Sequence, residues 1–379
     1  MSGTVRILYF SRDYTPHDRR FLERMARSRH EIHFLSLEQV PLPLEQRPLP
    51  SRVRACGSLS PMPLPPNIPA EILGFAPAFE LVLQEVAPDF IHAGPVSSCG
   101  FLAALAGLHP FLAMSWGSDL LLDAGRDPVI RWMTRFTLSN ADYFQCDCQT
   151  VLARALEFAP LEPERVLQFP WGVDLGRFKP GPGAGRLRGE LGWEDACILL
   201  SSRSWEPLYD TEILLQGFLH AHALDPSLRL VMAGDGSQGE FVRRFIGTNR
   251  LEDSVYLPGR VGNDSMPDLM RAADAYVSAA PVDGTSISLL EAMASGLPVI
   301  VADGPGNREW VEDGRHGRLF KAGDPEGLAR MMGWAGSLPG GERQRIGERN
   351  RAVACTRADW ERNSGALIAL YDRLEDVHG

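Results

Sequence analysis

Short apolar runs recur along the chain, separated by stretches of mixed polarity with the length of helices. The runs are too short for helices and apolar on both faces, which is the pattern of buried strands in a parallel sheet. In the first part of the chain the runs are Val5 to Phe10, Ile32 to Leu35, Phe90 to Ala93, Phe111 to Trp116, Tyr143 to Cys146 and Val166 to Phe169. The covering helices between them are predicted at Phe21 to Arg29, Ala76 to Val86 and Pro128 to Ala141. This alternation predicts an α/β domain built of strand-helix-strand units.

A second series of the same kind follows and predicts a second α/β domain. Its strands are Ile198 to Ser202, Leu228 to Gly234, Val255 to Pro258, Ala275 to Ala279, Val299 to Asp303 and Arg318 to Phe320. Between the two series, the stretch 180–185 reads Pro-Gly-Pro-Gly-Ala-Gly, a composition typical of connections. We therefore predict domains at 1–178 and 179–359. The nine prolines between Pro41 and Pro69 lie inside the first series and predict a long irregular loop.

Composition and charge exclude several classes of protein. The chain has 379 residues, 44% of them hydrophobic, which gives room for two domains with ordinary cores. Its formal charge of −10 argues against a general nucleic-acid binder. Neither a signal peptide nor an apolar run of spanning length is visible, so we expect a cytoplasmic protein. Its six cysteines are expected to be free thiols, and Cys146 and Cys148 have poor spacing for zinc.

Two doubly wound sheets imply a ligand beyond the carboxyl ends of their strands, in a cleft between the domains. The segment PVDGTSISLLEAMASGLPVIVAD, 281–303, follows a predicted strand and opens a helix. Gly284, Thr285 and Ser286 offer a flexible turn and a helix cap, followed by unpaired backbone N–H groups at the positive end of the helix. Such a helix terminus attracts phosphate.

Two carboxylates accompany this helix start. Glu291 lies within the apolar part of the helix, where it needs hydroxyl or N–H partners, and a ribose offers two hydroxyls. Asp283 lies in the preceding loop, on the side predicted to face the ligand. An Asp before Gly is also a common turn residue, so spacing alone leaves both roles open for Asp283.

The segment resembles a known family of enzymes. Asp283 and Glu291 form an Asp-x7-Glu arrangement that is similar to the Glu-x7-Glu signature of the GT-B glycosyltransferases of family 4. Further matches occur in order along nearly the whole chain: PWGVDLGRFKP (170–180), SSRSWEP (201–207), VMAGDGSQGE (231–240), VYLPGRV (255–261), DLMRAADAYVSAA (268–280) and VEDGRHGRLFKAGDPEGLA (311–329). An ordered set of moderately specific motifs is far stronger than any one of them. The resemblance implies two Rossmann-like domains facing each other across a cleft, with residues 360–379 returning to the first domain.

The resemblance also implies roles for individual residues. Glu291 would hold the ribose of the donor, and Asp283 would contact hydroxyls of the transferred sugar. Gly284, Thr285 and Ser286 would present N–H groups to the diphosphate. Arg203 would be the catalytic cation opposite the leaving diphosphate, where negative charge develops. The turn that lines the nucleobase in the family corresponds here to Gly259, Arg260 and Val261.

The sequence departs from the family pattern at one position near Arg203. Many relatives carry a Lys five residues after this Arg, and here that residue is Leu208. We hypothesise that Arg260 or Arg308 supplies the missing charge. Loss of the Lys is also compatible with an inactive relative.

In the first domain, the segment SWGSDLL, 115–121, resembles a His-Gly-x-Asp segment of the transferred-sugar pocket, with Trp116 in place of the His. Gly117 and Asp119 suit a tight turn, and for Asp119 a capping role and a sugar contact are equally compatible with the spacing. Asp13 and His17 lie in the turn after the first strand and are candidate acceptor contacts. His92 is predicted to be a satisfied core residue.

Six arginines stand between Arg12 and Arg29, against three acids. One interpretation is an acceptor that bears phosphate or lipid, with weak peripheral contact at the inner face of a membrane. The other is a solvated helix whose charges pair at i+4 spacing, and this interpretation is favoured.

The resemblance implies transfer of a sugar from a UDP- or GDP-linked donor to a glycan, small-molecule or lipid-linked hydroxyl acceptor. It implies retention of anomeric configuration and no cofactor or metal. A nucleotide-sugar epimerase of the same fold and a nucleotide-sugar-binding protein without catalysis remain open. A nicotinamide oxidoreductase is disfavoured because no Gly-x-Gly-x-x-Gly turn begins either domain.

Overall fold

The computed structural model describes residues 4–41, 45–65, 69–181 and 184–378. The chain forms two compact units. The first unit comprises the described residues up to Phe169 together with those from Ser364 onward, and the second spans Pro170–Asn363. The boundary predicted at 178/179 lies inside the second unit, whereas part of the Pro-Gly stretch at 180–185 falls outside the described residues.

Seven of the described strands form the sheet of the first unit, and all of them pair in parallel. They are β1 (Arg6–Ser11), β2 (Glu31–Glu38), β3 (Val53–Ser60), β4 (Phe90–Ala93), β5 (Phe111–Met114), β6 (Tyr143–Cys146) and β7 (Val166–Gln168). Their order is β3-β2-β1-β4-β5-β6-β7. Successive strands are added outward from β1 on both sides, so the direction of winding reverses between β1 and β4. Loops diverge at such a point and leave a crevice at the carboxyl ends of the strands.

The edge strand β3 corrects the prediction of an irregular loop between Pro41 and Pro69. None of the nine prolines falls within Val53–Ser60; they flank the strand on both sides. Only the two ends of the strand are buried, because its outer edge and much of its surface face solvent. A partly exposed edge strand lacks the continuous apolar run by which the other strands were predicted.

The described α-helices of the first unit up to Phe169 are α1 (Pro16–Ala26), α2 (Pro69–Gly74), α3 (Ala76–Val86), α4 (Cys99–Ala106), α5 (Ala124–Arg126), α6 (Pro128–Asn140) and α7 (Gln149–Leu156), and a π-helical turn spans Asp119–Asp123. Helix α1 begins five residues before its predicted start at Phe21. Thr15 caps it, since the Thr15 hydroxyl accepts from the Asp18 N–H at 3.2 Å and the Asp18 carboxylate accepts from the Thr15 N–H at 2.9 Å. This reciprocal capping box, followed by Pro16 at the first helical position, fixes the start.

Six described strands form the sheet of the second unit, again in parallel. They are β8 (Cys197–Ser201), β9 (Leu228–Ala233), β10 (Val255–Gly259), β11 (Ala275–Ser278), β12 (Val299–Ala302) and β13 (Gly317–Phe320), in the order β10-β9-β8-β11-β12-β13. Leu199 and Leu200, adjacent in β8, belong to separate hydrophobic cores. Both faces of this sheet are therefore buried, which explains why its strands are apolar at successive positions.

The helices of the second unit are α8 (Ala184–Leu191), α9 (Thr211–Leu224), α10 (Gly239–Thr248), α11 (Met266–Ala272), α12 (Ile287–Ala294), α13 (Pro305–Arg308), α14 (Pro325–Ser337), α15 (Gly340–Arg357) and α16 (Trp360–Asn363). The winding of this sheet reverses between β8 and β11, which pair through Ala275 and Leu199. The loops after these two strands carry Arg203 and Asp283. No helix in the described ranges is both long enough and apolar enough to cross a bilayer.

The last helix, α17 (Gly365–His378), belongs to the first unit. The hydroxyl of Tyr371 lies 2.7 Å from Nδ1 of His92, which stands on β4. Both side chains are fully buried, and burial lowers the pKa of His92 to about 3. The prediction that His92 is a satisfied core residue is confirmed.

Candidate functional site

Helix α12 has defined ends at both termini. The Ser286 hydroxyl caps its start by accepting a hydrogen bond from the Leu289 N–H at 3.4 Å. At the other end Gly296 adopts a φ of 79°, and the Leu297 N–H bonds to the Ala292 carbonyl at 3.0 Å. This C-terminal motif favours glycine at that position. The predicted cap of this helix is confirmed.

Arg203, in the loop after β8, reaches the start of this helix. One terminal nitrogen of its guanidinium lies 2.8 Å from Oδ2 of Asp283, and the other donates to Oγ of Ser286 at 2.8 Å. Ser288 lies next to Ser286 and bonds to the hydroxyl of Tyr276 at 2.7 Å. The structure thus brings together three predicted site residues, Arg203, Asp283 and Ser286, which we call the Arg203 cluster.

The flat face of the Arg203 guanidinium lies over the ring of Tyr209, 4.0 Å from its centroid. The Arg203 side chain is 14% exposed and that of Asp283 19%. Burial opposes the charged form of Arg203, but the Asp283 carboxylate and the two nearby tyrosines outweigh it, so its pKa is raised. Sequence reasoning missed both Tyr209 and Tyr276. The available signal was an aromatic residue directly after Leu208.

Gly306 is a further residue that the sequence analysis missed. A Cβ at this position would lie 2.2 Å from the Asp283 carbonyl oxygen and 2.5 Å from that of Gly284. Helix α13 therefore packs its backbone directly on the loop that carries Asp283. The signal was the Gly-Pro-Gly sequence at 304–306.

Glu291 stands in the middle of α12 and is partly buried. Thr285 and Gly284 are buried in the loop before the helix. The turn Gly259, Arg260 and Val261 follows at the end of β10, where the Gly259 carbonyl accepts from the Gly234 N–H at 2.9 Å. Arg260 is exposed and makes no hydrogen bond or ion pair with the part of the chain that the structure describes.

The two candidate replacements for the missing Lys, Arg308 and Arg260, differ in their ion pairing. Arg308 forms a two-pronged ion pair with Asp303, at 2.5 and 2.8 Å. Its charge is thus already paired within its own loop. Arg260 is not engaged in this way and stays a candidate.

In the first unit, the carboxylate of Asp119 links the segments that follow β4 and β5 by hydrogen bonds. Its carboxylate accepts from the Val96 N–H at 2.9 Å, from the Ser115 hydroxyl at 2.7 Å and from the Leu120 N–H at 3.0 Å. Burial raises its pKa to about 6, against these hydrogen bonds. Gly117 has a φ of 89°, so the predicted tight turn at this position is confirmed.

Asp13 and His17 lie in the turn after β1 and at the start of α1. Burial, together with Asp18 and Glu38, raises the pKa of the partly buried Asp13 to about 6. The ring of His17 lies 5.9 Å from that of Trp116, centroid to centroid. On α1, Arg19 pairs with Glu23 at 2.8 Å, one of the i+4 pairs that the solvated-helix interpretation predicts.

Cys146 is the last residue of β6, and Cys148 lies just before helix α7. All six cysteines are free thiols, and Cys146 and Cys148 are buried. Among the described residues, no three His, Cys, Asp or Glu side chains are grouped as metal ligands would be.

The Arg203 cluster combines a fixed cation, a serine hydroxyl and the amino end of a helix at the switch point of a parallel sheet. Each of these groups favours an anion. In this structure the anion next to Arg203 is the carboxylate of Asp283. The cluster therefore has the composition of a phosphate site with an acid at its edge.

Comparisons with known families cover both units. The model of the family described as Glycosyltransferase Family 4 matches residues 17–177. The model described as Glycosyl transferases group 1 matches residues 186–353, which contain the whole Arg203 cluster.

Curated relatives match about half of the chain. A D-inositol 3-phosphate glycosyltransferase of Actinosynnema mirum is 32% identical over 228 residues, which is 57% of this chain and 54% of that protein. An alpha-monoglucosyldiacylglycerol synthase of Streptococcus pneumoniae is 25% identical over 52% of this chain and 45% of its own. The chain spans about half the length of the curated relatives it matches.

Solved structures share the fold over nearly the full length. Sucrose-phosphate synthase from Thermosynechococcus elongatus has a TM-score of 0.81 at 17% identity, covering 98% of this chain and all of that one. Anabaena Alr3699/HepE in complex with UDP-glucose has a TM-score of 0.75 at 19% identity, covering 98% and 99%. With one family match on each unit and this shared architecture, the chain belongs to the GT-B glycosyltransferases of family 4.

Proposed function

We propose that the chain is a glycosyltransferase that transfers a sugar from a nucleoside diphosphate sugar to a hydroxyl acceptor, with retention and without a required metal. The observation that carries the proposal is the Arg203 cluster at the start of α12. The cluster combines a partly buried cation, stacked on the ring of Tyr209, with hydroxyl and N–H donors, and such a combination would bind a diphosphate.

In this proposal Arg203 acts on the leaving group. Breaking the bond between sugar and diphosphate builds negative charge on the phosphate oxygen, and a cation already in place stabilises that charge most in the transition state. The rigid setting of Arg203 between Asp283, Ser286 and Tyr209 supports this role, because little reorganisation is needed when the charge develops.

The two acids have separate roles in the proposal. Glu291 accepts hydrogen bonds from the ribose hydroxyls, since it stands on α12 one helical turn beyond the phosphate-binding start. Asp283 orients the transferred sugar through its hydroxyls. The leaving phosphate oxygen takes the proton of the acceptor on the same face, which gives retention without a covalent enzyme intermediate.

Names of similar proteins support a UDP-linked donor. The Anabaena structures hold UDP or UDP-glucose, and the name of the Actinosynnema mirum relative states a phosphorylated polyol. We propose UDP-glucose as the first donor to test. GDP-linked donors and a lipid acceptor at a membrane face are less supported alternatives.

Calorimetry with UDP and UDP-glucose tests the donor site. Arg203→Ala should weaken UDP binding by about 10- to 100-fold, since a charge-assisted hydrogen bond is worth about 1.5–3 kcal/mol. Arg244→Ala is the matched control, because Arg244 is an exposed arginine of the same unit that pairs with Glu240 at 3.6 Å. UDP binding that is equal in both variants would overturn the phosphate role of Arg203.

Turnover separates the proposal from its alternatives. We expect UDP release only when an acceptor is present, an unchanged rate with EDTA, and a product with the anomeric configuration of the donor by NMR. Conversion of the donor sugar without an acceptor would indicate an epimerase. Donor binding without any release of UDP would indicate a binding protein.

A further inference from the structure

A cavity of about 190 Å³ opens in the first unit, at the point where the winding of its sheet reverses. Its lining comes from the loops after β1, β4 and β5 and from helices α2 and α6. Pockets for drug-sized ligands measure roughly 300–1,000 Å³, so this cavity suits a single small ring. All of its lining residues belong to the first unit, and none is part of the Arg203 cluster.

Arg12 is the one cation among the described lining residues, and its charge is already paired. Its Nε lies 2.6 Å from Oε1 of Glu38, and a terminal nitrogen donates to the carbonyls of Leu64 and Pro65 at 2.9 and 3.1 Å. The undescribed segments 42–44 and 66–68 read Leu-Pro-Leu and Pro-Asn-Ile, so neither contributes a charged side chain.

The other charged lining residues are acids. Asp119 is buried and accepts three hydrogen bonds from its own loops, and Asp123 is 26% exposed beside Arg126 at 3.3 Å. A phosphate entering this cavity would meet two carboxylates and a cation that is already neutralised. Like charges repel strongly in a partly buried site, so the two carboxylates disfavour a phosphorylated ligand in this cavity.

The remaining lining fits an uncharged polyhydroxylated ring. The Ser97 and Ser118 hydroxyls make no hydrogen bond to a described residue, and each can donate or accept. The indole of Trp116 offers an apolar face, and Ile130 and Met133 add apolar surface. Sugars and cyclic polyols carry hydroxyls around an apolar ring face, which matches this mixture of groups.

We propose that this cavity binds the acceptor, and that the acceptor is a neutral sugar or cyclic polyol rather than its phosphate. To call the ligand an acceptor rests on the proposed transferase function, whereas the preference for a neutral ring over its phosphate does not. The two ideas fail separately, because UDP binding tests the second unit and ring binding tests the first.

Saturation-transfer NMR on the full chain without donor tests the preference directly. The probes are glucose, mannose and myo-inositol, each with its monophosphate. We expect at least one neutral ring to bind at least tenfold more tightly than its phosphate. Trp116→Ala should remove the signal, and Trp132→Ala, an exposed aromatic outside the cavity lining, should keep it. Binding of none of the neutral rings, or equal binding of the phosphates, would overturn the proposal.

Glu38→Gln tests the charge argument, because it frees Arg12 while keeping the side chain's shape. The variant should bind the monophosphate at least fivefold better than the native chain. Glu31→Gln is the control, since Glu31 lies on the same strand and pairs with Arg6 and Arg54. An unchanged phosphate affinity in both variants would contradict the role assigned to Arg12.

Kinetics then distinguish an acceptor from the transferred sugar of the donor. With UDP-glucose as donor, Trp116→Ala should raise the acceptor KM at least tenfold and leave the donor KM within twofold. A rise in the donor KM alone would place the transferred sugar in the cavity and overturn the acceptor assignment.

Discussion

Arg203 is the residue for which two anions would compete under the proposed function. In the structure Asp283 occupies one terminal nitrogen of its guanidinium at 2.8 Å, and a donor diphosphate would need the same cation. Under the proposed function, the like charges of the Asp283 carboxylate and the diphosphate would repel each other, so Asp283 would weaken diphosphate binding while it orients the sugar.

Asp283→Asn should therefore separate binding from turnover. We expect UDP to bind about 3- to 10-fold more tightly, because a partly buried cation without its partner gains most from a new anion. Sugar transfer should fall at least 100-fold, since the acid that orients the sugar is lost. Calorimetry with UDP and a transfer assay with UDP-glucose measure the two effects. Weaker UDP binding would show that Asp283 does not compete.

A matched control for this variant is Asp303→Asn. Asp303 also pairs with an arginine, Arg308, through two hydrogen bonds, but it lies outside the Arg203 cluster. Its substitution should change UDP affinity by less than twofold. A gain equal to that of Asp283→Asn would point to net charge rather than local competition.

Asp13 gives a prediction for pH dependence. Its pKa is about 6 in the folded protein, through burial and the acids Asp18 and Glu38, against about 3.9 in an unfolded chain. Between pH 4 and 6 the folded state thus keeps a proton that the unfolded chain has released. The contribution of Asp13 to stability is therefore lost as pH rises through this window and stays lost above it.

Asp13→Asn should remove this loss. Its free energy of unfolding, relative to the native chain, should rise from pH 4 to pH 6 by about 1–2 kcal/mol and then stay level. Urea unfolding at several pH values measures the difference. Glu80→Gln, at an exposed position of α3, is the control. A difference that does not vary with pH would contradict the raised pKa.

At the scale of elements, the sequence predicted strands buried on both faces better than partly exposed ones. All six strands of the second unit were predicted within one residue of their bounds, because burial on both faces leaves an apolar run. The edge strand β3 was missed because most of it faces solvent. The start of α1 was missed although Thr15, Pro16 and Asp18 form a recognisable cap in the sequence.

In the Arg203 cluster too, some features could be predicted from the sequence and others could not. Arg203 and Asp283 are 80 residues apart, yet motifs at the ends of two strands predicted both. The aromatic residue after Leu208 was visible in the sequence, but its stacking on Arg203 was not, because the stack depends on a 3-10 turn at Pro207–Tyr209 and on a left-handed Asp210, with a φ of 50°. Such geometry is set by the neighbouring loops and leaves no periodic pattern.

Helix α13 gives a prediction at the level of elements. Gly306→Ala would place a Cβ 2.2 Å from the Asp283 carbonyl, so the loop or the helix must shift. We expect sugar transfer to fall at least tenfold, because the loop that carries Asp283 and Ser286 shifts relative to Arg203 and Asp283 no longer lies where it would orient the sugar. Gly333→Ala is the control, since a Cβ on Gly333 of α14 meets nothing within 4 Å. Native activity in Gly306→Ala would show that the contact is absorbed without moving the site.

At the scale of the whole molecule, the first unit is built from two separate stretches of the chain. The chain leaves this unit after Phe169 and returns at Ser364 to add α17. Leu367, Leu370 and Tyr371 of α17 are fully buried, so this helix contributes to the interior of the first unit. The residues of the Arg203 cluster, in contrast, all belong to the second unit.

Tyr371→Phe should therefore destabilise the first unit without weakening the donor site. It removes the hydroxyl 2.7 Å from Nδ1 of the fully buried His92, at a cost of about 1–3 kcal/mol for the unsatisfied nitrogen. Hydrogen exchange should accelerate at β1 and β4, while UDP affinity measured below the unfolding transition should stay within twofold. Tyr143→Phe is the control, because the hydroxyl of Tyr143 makes no hydrogen bond among the described residues. Equal exchange in the two variants would show that the Tyr371 hydroxyl contributes nothing, and a loss of UDP binding in Tyr371→Phe would show that the donor site depends on the closure of the first unit.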